Sequence, residues 1–202
     1  MKTILKIFLA VICFFGVTKS NAQIPDKAEN ISPMLIGEIL PSGSLQDSDG
    51  KIIDMSSILK SKPSVLVFYR GGWCPYCNLQ LSGLVKIEKE ILDLGYQIVA
   101  ISPEDYQNLK TTEEKDSIKY SLYSDKDGKF IQDIGIAFQT PTRVKDYITT
   151  SGQKGKTADV LPVPTVMIVD KGGKILFEYI NPNYKERISS DMIMAVLKTL
   201  VK

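Results

Sequence analysis

The chain has 202 residues, 44% of them hydrophobic, with 25 Lys and Arg set against 23 Asp and Glu. That balance gives no electrostatic reason to expect nucleic acid or an acidic membrane surface as a partner. The absence of any histidine removes Ser/His/Asp and Cys/His catalysis and every imidazole metal site, so chemistry must run on sulfur, carboxylates, amines or phenols.

Residues 1–22 have a secretory layout: Lys2 and Lys6, then an apolar stretch at 7–17, then Ser20-Asn21-Ala22 as a cleavage site after Ala22. The stretch is too short to span a bilayer, and Cys13 follows Ile12 rather than the small residue a lipid anchor requires. The expected product is exported, periplasmic or secreted, with no stable membrane association after cleavage. Losing Lys2, Lys6 and Lys19 and no acid leaves 22 basic and 23 acidic residues, a net charge of −1, and only Cys74 and Cys77 as thiols. The remaining length suits one domain.

Residues 23–44, punctuated by Pro25, Pro33, Pro41 and Gly43, read as a loosely tied N-terminal arm, with the domain at 45–202. Residues 45–55 read as a small hairpin around Asp47-Ser48-Asp49-Gly50. The unbroken apolar run at 64–69 predicts a strand covered on both faces. Leu81, Leu84, Ile87, Ile91 and Leu94 recur at helical spacing, predicting one helix over 77–94 capped by Gly95. A second buried strand at 98–101, a polar helix at 104–118 and a short strand at 120–123 follow. Asp125-Lys126-Asp127-Gly128 then turns into 130–138. Residues 139–160 read as a mobile excursion with a short helix ending at Ile148. A hairpin over 165–180 and an amphipathic helix over 189–201 close the chain. The expected class is α/β, a central mixed β-sheet flanked by α-helices.

Phe68-Tyr69-Arg70-Gly71-Gly72-Trp73-Cys74-Pro75-Tyr76-Cys77 holds the CxxC pair between strand and helix. If the helix starts there, Cys74 is its N-cap and Pro75 its first residue, where a missing N–H costs nothing. Unpaired backbone N–H groups and the helix dipole then favour a Cys74 thiolate. No acid occurs between Asp54 and Glu88, whereas Lys60, Lys62, Arg70 and Lys86 do, and Arg70 is the candidate cationic neighbour. Cys74 is the expected solvent-accessible attacker in disulfide exchange and Cys77 the resolver. A static staple is the competing reading, yet so small a loop constrains the unfolded chain little. Two thiolates make a poor zinc site, so no metal and no cofactor is expected; a non-enzymatic binding module would use the pair as a staple or a soft-metal hook. Trp73 either covers the sulfur or packs in the core. Tyr69 and Tyr76 are structural rather than acid/base groups.

The motif, with Val163-Pro164-Thr165 before the late hairpin, resembles the thioredoxin-fold superfamily. Residues 68–81, 99–104, 124–128 and 161–184 resemble its peroxiredoxin-like branch, the alkyl hydroperoxide reductase/thiol-specific antioxidant (AhpC/TSA, redoxin) family. The Pro75-Tyr76 spacer is similar to that of glutaredoxins. The resemblance implies a cis Pro164 packed against the CxxC, with the Val163 backbone free to pair with a substrate chain. It implies a thiol-disulfide oxidoreductase acting on protein or small-molecule thiols and disulfides with an external thiol reductant. The alternative is a thiol peroxidase reducing hydroperoxides. Peroxiredoxins place a proline seven residues and a threonine three residues before the peroxide-reducing cysteine; counted back from Cys77 these places hold Arg70 and Cys74. Thioredoxins carry a buried aspartate where this chain has Phe68, leaving the proton acceptor unidentified.

Overall fold

A computed structural model describes residues 23–155 and 158–201; the expected leader at 1–22 lies outside the described residues. Its strands are β1 (Ser44–Gln46), β2 (Ile52–Asp54), β3 (Ser64–Phe68), β4 (Gln97–Ser102), β5 (Ser121–Ser124), β6 (Ala137–Gln139), β7 (Val160–Pro162), β8 (Thr165–Val169) and β9 (Ile175–Ile180). Its helices are α1 (Met55–Ser61), α2 (Pro75–Val85), α3 (Glu88–Asp93), α4 (Leu109–Asp116), α5 (Lys129–Asp133), α6 (Thr142–Thr150) and α7 (Ser190–Leu200). Seven strands form one sheet in the order β2-β1-β5-β4-β3-β8-β9, and β6 and β7 pair separately.

Period-two alternation sends successive residues of the central strands to two cores. Val65, Val67, Ile98, Ala100, Val166 and Ile168 meet the helical side chains Leu81, Leu84, Ile91, Leu109, Ile193 and Leu197. Leu66, Phe68, Val99, Ile101, Met167 and Val169 meet Met55, Ile58, Leu59, Phe130 and Ile131. Because both faces are covered, β3 is buried at every position, which is why its sequence does not alternate.

Strand direction decides where the loops gather. β3, β4 and β5 are parallel, while β8 runs antiparallel to β3 and β9 antiparallel to β8. The C-terminal ends of β3, β4, β5 and β9 therefore leave from one edge, and residue 164 enters β8 there. In open α/β sheets that edge is where ligands bind.

Three expectations change. The single helix over 77–94 is two: the Lys86 N–H bonds back to Gly83 and Leu84, tightening the turn, and Ile87 leaves helical geometry at φ −110°, ψ 1°. The N-terminal arm is laced down by backbone bonds, Met34 to Ile134 at 3.1 Å, Gly37 to Ile175 at 2.8 Å and Leu40 to Gly173 at 2.9 Å. The excursion at 139–160 holds the expected short helix, which is α6 and runs on to Thr150, and it is clasped to the domain, the Asn108 amide donating to the Lys154 carbonyl at 2.9 Å and accepting its N–H at 2.8 Å. Gly95 adopts φ +84° as the expected cap.

Candidate active site

β3 delivers residues 69–74 into the C-terminal edge through a turn that only glycine fits. A Cβ on Gly71, whose φ is +140°, would lie 2.3 Å from Trp73 Nε1, and one on Gly72 2.1 Å from Thr112 Oγ1. The turn sets Cys74 as the N-cap of α2 with extended backbone and Pro75 first in the helix. The Cys74 carbonyl accepts the N–H groups of Cys77 and Asn78 at 3.0 and 3.1 Å. Its sulfur closes no capping hydrogen bond.

Both cysteines are free thiols, and their environments push them apart. Cys74 falls from the ordinary 9.0 to about 6, chiefly because the Cys77 thiol donates to its sulfur, with Arg70 and Arg187 assisting against the cost of burial. Burial pushes Cys77 the other way, and a charged Cys74 adds to the rise. Cys74 was expected to be solvent-accessible, but it is only 1% exposed. The half-buried Trp73 packs on the hydrophobic cluster that contains both sulfurs.

Arg70 lies beside the pair, 7% exposed, its guanidinium carbon 4.8 Å from the Trp73 ring centre and 4.6 Å from that of Tyr184. Tyr76 meets Tyr184 edge-on at 5.7 Å, and Trp73 meets Tyr147 of α6 at 6.0 Å. Arg187, after β9, donates through Nη2 to Cys77 Sγ at 3.5 Å and through Nη1 to the carbonyls of Glu186 and Tyr184. Glu104, after β4, accepts from Tyr69 Oη at 3.0 Å, Ser102 Oγ at 3.2 Å and the Gly72 N–H at 3.0 Å. Burial raises its carboxyl above the ordinary 4.5.

Neither Arg187 nor Glu104 stands out as a site residue in the linear sequence. The signal that finds them is topological: both follow strands that end at the edge where β3 presents the motif.

The Val163–Pro164 pair departs from the implied role. The described residues contain no cis peptide bond, so the expected cis Pro164 is not present. Nor is the Val163 backbone free for a substrate chain, because its N–H donates to Ile136 at 2.9 Å and its carbonyl accepts Thr165 Oγ1 at 2.8 Å. The Pro164 carbonyl accepts the Asn181 N–H at 3.1 Å, tying the start of β8 to the loop that carries Tyr184 and Arg187.

Residues 36–177 match the AhpC/TSA family. The chain belongs to that family. It is 26% identical over 168 residues to peroxiredoxin Bcp of Escherichia coli (strain K12), covering 83% of this chain and 98% of that protein. It is 28% identical over 170 residues to the thiol-disulfide oxidoreductase ResA of Bacillus subtilis (strain 168), covering 84% and 79%. The crystal structure of peroxidoxin BcpB from Mycobacterium tuberculosis shares the fold, with a TM-score of 0.65 at 21% identity over 83% of this chain and 98% of that one.

Proposed function

We propose that this member of the AhpC/TSA family is an exported thiol-disulfide oxidoreductase whose redox couple is the Cys74/Cys77 dithiol. The family makes it an oxidoreductase acting on thiol groups. The observation that carries the finer reading is the opposed pair of sulfurs on one helical turn, Cys74 lowered to about 6 and Cys77 raised.

At neutral pH the Cys74 thiolate attacks one sulfur of a substrate disulfide, forming a Cys74–substrate bond and releasing the other half as thiolate. Its negative charge leaves with that half, so nothing on Cys74 then opposes ionisation of Cys77. Cys77 gives up its proton to the released substrate thiolate, and the Cys77 thiolate attacks Cys74 Sγ, closes the internal disulfide and expels the second substrate thiolate. An external thiol reductant restores the dithiol. Arg187, already on Cys77 Sγ at 3.5 Å, favours that second thiolate. Trp73, Pro75 and Tyr76 shape the mouth of the site.

A thiol peroxidase is the second reading, favoured by the resemblance to peroxiredoxin Bcp and by the Arg187 contact to Cys77. Against it, Cys77 is fully buried and a thiol stands where the peroxide-polarising threonine would be. Rates with a model protein disulfide and with hydrogen and organic peroxides, under one reductant, decide the matter. Exchange lost in Cys74→Ser with negligible peroxide turnover in every variant supports the oxidoreductase. Peroxide turnover that survives Cys74→Ser but not Cys77→Ser establishes the peroxidase. Sequencing the N-terminus of protein recovered outside the cytoplasm tests export, with Gln23 expected first.

A further inference from the structure

The two guanidinium groups at the dithiol have donors to spare. The described ion pairs are all made by lysines, so neither Arg70 nor Arg187 has a carboxylate partner among the described residues. The Arg70 side chain makes no hydrogen bond there, and the buried Nε of each arginine is unpaired. A buried, unsatisfied donor is costly, more so when charged. The rings of Trp73 and Tyr184 ease part of that cost for Arg70, but an aromatic face is a weak acceptor and the donors in the guanidinium plane stay open.

Resting on the exchange reading above, we propose that Arg70 and Arg187 form an anion subsite beside Cys74 that selects small disulfides carrying a carboxylate close to the sulfur. A carboxylate is the planar acceptor that a guanidinium fork bonds bidentately. Charge bookkeeping favours it at each step. With Cys74 ionised, two cations face one thiolate and one positive charge is left over. When Cys74 joins the substrate sulfur, its negative charge departs with the released thiolate, and both arginines lose their anion. The carboxylate of the half now bonded to Cys74 replaces it. Attack by the Cys77 thiolate then frees that half with its sulfur anionic, so the dithiol and one disulfide become the internal disulfide and two small thiols. A neutral hydroperoxide offers no such compensation.

The test is single-turnover oxidation of the reduced protein, followed by fluorescence of Trp73, the only tryptophan. Three symmetrical disulfides of similar size are compared: dithiodipropionate with two carboxylates, hydroxyethyl disulfide with none, and cystamine with two ammonium groups. Each rate is divided by that of a simple thiol at the same pH. The anionic disulfide should exceed the cationic one by about tenfold or more, and added salt should shrink the ratio. Arg70→Gln and Arg187→Gln should each bring the ratio toward one, whereas weaker activation of Cys74 would slow all three disulfides alike. If Arg70→Gln does not fold, the half-buried Arg187→Gln and the salt dependence of the wild type carry the test. Equal normalised rates in the wild type, or a preference unchanged in Arg187→Gln, overturn the subsite while leaving exchange intact. Failure of all three disulfides to oxidise the dithiol removes the exchange reading and the subsite together.

Discussion

Arg70 and Arg187 reach the motif with N–H groups unpaired, whereas Glu104, buried at the same edge of the sheet, takes three donors onto its two oxygens. Both arrangements place charge where water is scarce, yet they do different work. The Glu104 network is closed. A fully satisfied buried network rigidifies what it holds, and here it fixes Tyr69 to the Gly71-Gly72 turn that aims Cys74. The arginines are open, free to answer a charge that appears and disappears on sulfur during exchange.

The largest effect sits where both groups converge. Cys74→Ser should abolish disulfide exchange, while Cys77→Ser should trap a mixed disulfide on Cys74 visible as added mass; a mixed disulfide found on Cys77 instead would reverse the roles of the two sulfurs. Gly71→Ala strains the turn the carboxylate organises, through its positive φ and the 2.3 Å approach to Trp73 Nε1. Denaturant unfolding should show a loss of about 1–3 kcal/mol.

Arg187→Gln probes the open group. Removing the weaker of two nearby cations should raise the Cys74 alkylation midpoint from about 6 by a fraction of a unit, less than about 1.4 kcal/mol. The sign for stability follows from the lowered value. Ionised Cys74 stabilises the reduced fold fully above the ordinary 9.0, and that contribution is lost as pH falls through about 6. Less of it should be lost in the variant, and an unmoved midpoint would mean that Arg187 serves packing alone.

Glu104→Gln gives the smallest change. Its amide would turn a donor toward the Gly72 N–H, a deficit of about 1 kcal/mol at low pH, where the wild-type carboxyl is protonated. The wild-type carboxyl is raised above 4.5 by burial, so its favourable protonated state is complete below that value and fades as pH rises through the folded pKa. The deficit of the variant should therefore narrow with rising pH. A constant deficit would show that burial does not strain the carboxylate.

Much of this arrangement is legible in the sequence where the signals are local. Continuous apolar runs mark β3 and β4, turn residues mark both hairpins, and Pro75 marks the start of α2. The break at Lys86 and Ile87 was invisible because Leu84, Ile87, Ile91 and Leu94 keep helical spacing across it and pack on one cluster. Within 139–160 the short helix is legible but the clasp is not, because it joins Asn108 to Lys154, partners 46 positions apart. Cys74 and Arg70 were found because charge bias and capping act within a few residues. Glu104 and Arg187 were missed because only the sheet brings them in, from 32 positions beyond Gly72 and 110 beyond Cys77. The resemblance misplaced the Val163 backbone because the β6–β7 pair of this chain already engages it.

The direction of the strands also has a practical use. The turn at Asp170–Gly173 joins the C-terminal end of β8 to the start of β9, and so lies at the end of the sheet away from the sulfurs. Lys171 and Gly172 within it are exposed. A short affinity tag or fluorophore placed between them would report on the protein from the end opposite its reactive edge, leaving Trp73 as an undisturbed internal probe.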